Sequence, residues 1–284
     1  LLPGSFSNNV IIPYGDFNDN GLAGGAMGDI DGDGLLDIVA FQDPGSFAIF
    51  LNQGQTGALS PTSFSSKIEI PSGELGQGNS NGTILKDFDN DGKLDIATYF
   101  RGASPSLTGG FTVSRNISTP GNILFEPAKQ FYNVGIFCSG LDGADLDGDG
   151  LVDFLINSSG LYYAQNISTP GNIEFATLRF LNSAGGAVST KDLNGDGKPE
   201  IMVVGSNSFN LLENLSTPGN IQFATPVNFP GSAVSGITMA DLDSDNKPDI
   251  LYYRINGFNN YDLVIKKNIH SSGALTTASF DSDI

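Results

Sequence analysis

Five nonapeptides in this 284-residue chain place oxygen-bearing side chains at alternate positions. They are Asp29-Ile-Asp-Gly-Asp-Gly-Leu-Leu-Asp37, Asp87-Phe-Asp-Asn-Asp-Gly-Lys-Leu-Asp95, Asp145-Leu-Asp-Gly-Asp-Gly-Leu-Val-Asp153, Asp192-Leu-Asn-Gly-Asp-Gly-Lys-Pro-Glu200 and Asp241-Leu-Asp-Ser-Asp-Asn-Lys-Pro-Asp249. Positions 1, 3, 5 and 9 carry Asp29, Asp31, Asp33 and Asp37; Asp87, Asp89, Asp91 and Asp95; Asp145, Asp147, Asp149 and Asp153; Asp192, Asn194, Asp196 and Glu200; Asp241, Asp243, Asp245 and Asp249. A tightly turning loop points every second side chain at one centre, and position 7 adds a backbone carbonyl from Leu35, Lys93, Leu151, Lys198 or Lys247. Hard calcium takes about six to eight oxygens, and this pattern supplies most of them; magnesium keeps more waters and suits it less. Position 6 is Gly34, Gly92, Gly150, Gly197 or Asn246, the residue types that most readily take positive φ. The last acid falls at position 9, not at the twelfth place of a helix–loop–helix calcium loop, and β-branched and aromatic residues follow it.

A metal-free Asp-Gly turn would account for one such loop. Five of them, without an ion, would leave clustered carboxylates repelling one another. About five calcium ions are therefore expected, and the fourth loop, with Asn194 and Glu200, is expected to bind most weakly. The loops hold 19 of the 31 acidic residues, leaving 12 against 13 Lys and Arg. The net charge of -18 is thus mainly a metal signature, and five divalent ions would bring it to about -8. No basic stripe exists to hold phosphates, which argues against nucleic acid.

The loops start 58, 58, 47 and 49 residues apart, a spacing that accommodates four short strands and their turns. Small residues precede each loop, with Gly24, Gly82, Gly140 and Gly236 five places before the first Asp. Apolar runs follow it, at 38–41, 96–100, 154–156, 201–204 and 250–253, as expected of a strand buried on both faces. A third strand ends at Asn52, Asn116, Asn166, Asn214 or Asn268, and in three copies Ser-Thr-Pro-Gly-Asn turns the chain. Phe125, Phe175 and Phe223 are expected to open the fourth strand, as are Phe64 and Phe280 after longer hairpins. The expectation is an all-β chain: one β-propeller domain over 1–284, of five four-stranded antiparallel blades with calcium loops between first and second strands. Ser5 to Pro13 resembles a fourth strand, so the chain reads either as a closed five-bladed ring or as part of a larger one.

These loops, the upstream Gly, the apolar strand and the Asn-turn-Phe element resemble FG-GAP/VCBS repeats, as in the integrin α-subunit propeller and bacterial surface proteins. The literal Phe-Gly and Gly-Ala-Pro triplets are absent. The resemblance implies a non-catalytic, secreted or cell-surface binding or adhesion module. Its glycan or protein ligand would dock opposite the calcium loops, on the connections at 101–110, 157–160, 205–208 and 254–260. Arg101, Arg254, Phe258 and Tyr261 are the candidate contacts. The alternative is a structural or assembly domain of a larger exported protein, with neighbouring domains and possibly an attached enzyme.

Catalytic signatures are missing. His270 is the sole histidine and reads as a surface residue of a hairpin; Cys138 is the sole cysteine and reads as a small buried apolar residue. No stretch approaches the roughly 20 apolar residues of a membrane helix, and the start without Met or leader suggests a mature form. Sequons at Asn81, Asn116, Asn157, Asn166 and Asn214 are better explained by turn chemistry than by glycans.

Overall fold

The structure is a computed structural model describing residues 11–12, 22–42, 46–72, 82–100, 109–132, 138, 140–205, 207–230, 234–255 and 260–283. Within them the chain forms five antiparallel sheets in sequence order. The first contains β1 (Leu22–Gly28), β2 (Asp37–Gln42), β3 (Ser46–Phe50) and β4 (Ile68–Pro71). The second contains β5 (Thr83–Lys86), β6 (Asp95–Phe100), β7 (Gly110–Ser114) and β8 (Lys129–Tyr132). β9 (Gly140–Ala144), β10 (Asp153–Asn157), β11 (Leu161–Ala164) and β12 (Arg179–Asn182) make the third, and β13 (Val188–Lys191), β14 (Glu200–Val204), β15 (Ser208–Leu212) and β16 (Val227–Pro230) the fourth. The fifth has β17 (Val234–Ala240), β18 (Asp249–Ile255) and β19 (Tyr261–Lys266); a bridge from Asn268 to Phe280 and a bond from Asp281 N–H to the Lys267 carbonyl (2.9 Å) start a fourth ribbon. Each sheet is a simple up-and-down meander, and first strands neighbour one another in the order β1, β5, β9, β13, β17. This is the blade architecture of a β-propeller.

The first strands lie innermost, where there is little room. A Cβ on Gly140 would sit 2.8 Å from the Gly186 carbonyl oxygen of the next blade, and one on Gly82 would sit 2.6 Å from the Tyr99 ring. Asp142, on the same inner strand, accepts both the Thr190 N–H and hydroxyl (2.8 Å each) and so ties the third blade to the fourth. Burial pushes its carboxyl up, against the pull of Lys86 and these hydrogen bonds.

The core is a series of layers between blades. Alternate residues of each second strand enter opposite layers, because successive side chains of a strand point to opposite faces. Phe154 and Ile156 pack towards the second blade, with Phe88, Phe111 and Val113, while Leu155 packs towards the fourth, with Ile201 and Val203. Met202 and Val204 then face the fifth blade, against Ile250 and Tyr252. This explains the continuous apolar runs. Cys138 is fully buried in the layer of Phe111 and Phe154, in keeping with its reading as a small apolar residue.

Two expectations need correcting. The phenylalanines do not open the fourth strands: each forms an isolated bridge to the blade's Asn, and ladder pairing begins four residues later, at Ile68, Lys129, Arg179 and Val227. His270 is buried, not on the surface; its backbone N–H donates to Asn268 Oδ1 (3.0 Å) and its Nδ1 lies 3.3 Å from the Ser279 hydroxyl. The hairpin folds back over it through a 3-10 turn at Thr277–Ser279. Apart from residues 11–12, the N-terminal segment at 5–13 lies outside the described residues. No helix among the described residues is long and apolar enough to cross a membrane.

Phe154 carries the layer between the second and third blades, its ring 3.6 Å from that of Phe111 between centroids. Phe154→Ala is expected to cost about 3–5 kcal/mol, whereas Phe180→Ala, at an exposed position, should cost less than about 1 kcal/mol. Urea unfolding midpoints of the two variants check this.

Candidate metal-binding loops

The five loops share one internal hydrogen-bond scheme, built from the carboxylates outward. The position-1 Asp collects backbone N–H groups from the turn: Asp145 accepts from Gly148 (2.7 Å), Asp149 (3.1 Å) and Gly150 (2.9 Å). That curl requires left-handed backbone at position 6, as the sequence suggests (Gly150, φ 90°), and also at position 4, which sequence reasoning missed. Position 4 is Gly32, Asn90, Gly148, Gly195 or Ser244, so three of five copies carry the glycine that marks such a site. The position-5 acid accepts the position-7 N–H, as in Asp33 with Leu35 (2.8 Å).

The position-9 acid performs a different task. Its two oxygens accept the N–H of position 2 and the N–H of the blade's Asn; Asp153 takes Leu146 (2.9 Å) and Asn166 (2.8 Å). Each loop is thereby closed on the end of the third strand. These acids are buried, and burial pushes Asp95, Asp153 and Glu200 up to about 7, with nearby loop carboxylates adding to the rise and the backbone donors opposing it. Burial also raises Asp37 and Asp149.

The blade's Asn completes the scheme across the interface. Asn166 Nδ2 donates to the Val152 carbonyl of its own loop and to the Phe88 carbonyl of the preceding loop, both at 2.8 Å, while its Oδ1 accepts Ser168 N–H (2.8 Å). Asn116, Asn214 and Asn268 repeat the arrangement, reaching Ile30, Leu146 and Leu193. Asn52 bonds within its own blade only, among the described residues, to the Leu36 carbonyl. Three sequon asparagines, Asn116, Asn166 and Asn214, are therefore buried with their amide nitrogens committed, and Asn157 is likewise buried, donating to the Gly186 carbonyl (2.8 Å). Asn81 lies outside the described residues.

The Pro-Gly turns dock on the same loops. Gly121, Gly171 and Gly219 N–H groups donate to Oδ2 of Asp31, Asp89 and Asp147, the position-3 acids of the preceding blades (2.7, 2.7 and 2.9 Å). The fifth blade lacks this turn, and the loop before it has Asn194 instead of Asp at position 3.

Carboxylate oxygens converge in four loops. Asp29, Asp31 and Asp33; Asp87, Asp89 and Asp95; Asp145, Asp147 and Asp153; and Asp241, Asp243 and Asp249 each bring ligand atoms within 4.8 Å of one another. Among the described residues no such carboxylate triplet forms in the fourth loop, where the Asn194 amide instead approaches Glu200 (3.5 Å). The decisive atom is Asp89 Oδ1, which is fully buried, lies in such a cluster and has no hydrogen-bond partner. An unpaired buried carboxylate oxygen is costly unless something positive meets it. The donor set fits a hard cation.

A family model described as FG-GAP-like repeat matches residues 29–98 and 192–252, spanning the first two and the last two loops. These two regions carry FG-GAP-like repeats. A search of curated protein sequences finds no match. Among solved structures, a rhamnogalacturonan lyase of Bacillus licheniformis is similar at 17% identity and a TM-score of 0.49, covering 86% of this chain and 48% of that one. An Agrocybe aegerita lectin specific for non-reducing terminal N-acetylglucosamine is similar at 17% identity and a TM-score of 0.47, covering 92% and 79%. The Vibrio cholerae (V. cholerae) biofilm matrix protein Bap1 is similar at 20% identity and a TM-score of 0.45, covering 86% and 37%. The chain thus spans about half the length of the lyase and less of Bap1, and identities this low transfer no activity or ligand.

On the opposite face, Tyr261 is 62% exposed at the start of β19. Arg254 is engaged by Asp283 (2.7 Å) and Asp262 (3.3 Å). Arg101 and Phe258 lie outside the described residues.

The Asn strap yields a comparison. Asn166→Ala removes bonds on both sides of an interface and leaves buried carbonyls unpaired, so it should cost about 2–4 kcal/mol. Asn52→Ala should cost at least about 1 kcal/mol less, because its amide bonds to the Leu36 carbonyl within its own blade. Denaturant unfolding of both variants reads the difference.

Proposed function

We propose that this chain is a calcium-stabilised, non-catalytic binding or adhesion module of an extracellular protein, folded as one propeller domain. The observation that carries the calcium assignment is Asp89 Oδ1, buried and unpartnered among converging carboxylates. Positions 1, 3, 5 and 9 of each loop, with the position-7 carbonyl, would hold the ion. Calcium, when bound, adds positive charge where the carboxylates converge and holds the acids at position 9 ionised.

The acids do structural work that conflicts with acid–base catalysis. Asp153 closes its loop on Asn166, and Asp147 accepts the Pro-Gly turn of the following blade. An ion at Asp147 would therefore meet a side chain that already joins two blades, so calcium would strengthen an interface and not only a loop. Extracellular placement follows from the same chemistry, since calcium modules of about 10⁻⁴–10⁻³ M affinity fill only where calcium is abundant. In an antiparallel meander the connections between second and third strands lie at the end opposite the loops. A glycan or protein ligand would meet Tyr261 and Arg254 there.

At about 1 mM calcium, a site of about 10⁻⁴ M affinity stabilises the fold by about 1.4 kcal/mol. Chelation is expected to lower the melting temperature, millimolar calcium to restore it, and magnesium to restore it poorly. Thermal unfolding with chelator and with each ion added back at constant ionic strength checks this; curves indifferent to all three would reject the calcium reading. Asp147→Ala is expected to remove one equivalent of calcium in a calorimetric titration, and unchanged stoichiometry would reject that loop as a site. For the ligand face, a glycan array probed with the calcium-loaded chain should give a signal that Tyr261→Ala weakens.

A further inference from the structure

Beside each loop, at the end of the third strand, the blades differ at a residue that the repeat does not constrain: the position just before the blade's Asn. It is Leu51, Arg115, Gln165, Glu213 and Lys267 in turn. In the second blade the Arg115 guanidinium donates to Asp89 Oδ2 through Nε and to Asp91 Oδ2 through a terminal nitrogen, each at 2.6 Å, with Glu126 beyond at 3.0 Å. In the fifth, the Lys267 ammonium contacts Asp243 and lies 3.3 Å from Asp245. The partners in both cases are positions 3 and 5, half of the proposed calcium ligands. The third blade reaches its position-3 acid with a neutral amide, Gln165 Nε2 to Asp147 Oδ2 at 2.8 Å, and the first blade offers only an aliphatic side chain there.

We propose that Arg115 and Lys267 are built-in counter-ions that weaken calcium binding in the second and fifth loops and support those loops when calcium is scarce, so that the first and third loops fill first. This rests on the calcium reading above. Two carboxylates held by a guanidinium have already gained part of what an ion would give them, and the fixed charge repels an incoming cation. Yet Arg115 does not abolish the second site. It leaves Asp89 Oδ1 unpartnered, and Asp87, Asp89 and Asp95 still converge. The result is a weaker site, not a lost one. The loops with four acids and no fixed cation have the opposite character: they bind tightly when calcium is present and repel themselves when it is absent.

The test exchanges residues between blades that already use them. Arg115→Gln gives the second loop the third blade's neutral amide, and Gln165→Arg does the reverse. In calorimetric calcium titrations of the full chain, Arg115→Gln should move one equivalent from the weak to the tight class, a gain of about tenfold or more. Gln165→Arg should move one equivalent the other way by a similar factor. In chelator, Arg115→Gln should melt below the wild type and Gln165→Arg above it, and millimolar calcium should narrow both gaps. If the wild type binds calcium and neither exchange alters the titration or the spread between chelated and loaded melting temperatures, the counter-ion proposal is overturned and the calcium reading stands. If the wild type binds no calcium, both fall. Should Arg115→Gln not fold even with calcium, Gln165→Arg decides alone, and an unchanged titration for that variant overturns the proposal.

Discussion

One buried amide organises the described structure: the asparagine that ends each third strand. Its nitrogen donates to a carbonyl in its own loop and, from the second blade onward, to a carbonyl in the loop before it. A carbonyl sealed between blades cannot reach water, so without this donor it would be left unsatisfied at a cost of about 1–3 kcal/mol. The same asparagine's backbone N–H is fixed by the position-9 acid, and its Oδ1 orders the start of the hairpin that carries the bridge to phenylalanine. Loop, strand end and neighbouring loop are thus three parts of one buried polar network. Such networks are stabilising only when every member is satisfied. The acidic loops are therefore part of how blades recognise one another, and the apolar layers between second strands have their register set from this end.

Much of this was legible because it is periodic. Alternate oxygens, the left-handed residue at position 6 and the doubly buried second strand each leave a mark that recurs with the blade, and repetition separates signal from coincidence. What stayed hidden was relational. Asn166 could be seen to end a strand, but nothing in its neighbours shows that its amide crosses to Phe88, since inter-blade contacts have no local pattern. The phenylalanines look like strand openers because they recur nine or twelve residues after the blade's Asn, beyond the turn; each instead bridges that Asn alone, and the ladder starts later. His270 looks exposed because hairpins usually are, yet its hairpin folds back through a 3-10 turn that satisfies itself with Thr276 and Ser279. Arg115 and Lys267 were invisible for the opposite reason: repeat analysis discards variable positions, and the residue before the Asn is variable.

The variable positions also show that neighbouring blades are matched in pairs. Where a loop has Asp at position 3 and another blade follows through residue 230, that blade brings a Pro-Gly turn whose N–H caps the acid's outer oxygen. Where the loop has Asn194, the following blade has the longer hairpin with buried His270 and no such turn. An amide at position 3 spends its nitrogen on Glu200 and has less need of an external donor than a carboxylate would. The side chain in one blade and the turn in the next thus answer the same electrostatic requirement.

That requirement is the neutralisation of a crowded ring of acids, and the chain meets it with three kinds of positive partner. Backbone N–H groups serve every loop, fixed in place by the left-handed residues at positions 4 and 6. Side-chain cations serve the second and fifth loops. Neither reaches Asp89 Oδ1, which stays buried and bare even with a guanidinium on its sister oxygen. An arginine that forms two short bonds on one side of a cluster and leaves the other side open has not replaced a cation; it has lowered the charge that the cation must meet. The dipoles of the N–H groups are permanent and the side-chain charges nearly so, whereas a bound ion comes and goes with its concentration. A propeller built this way keeps its blades joined by the first two and adjusts how firmly it holds them by the third.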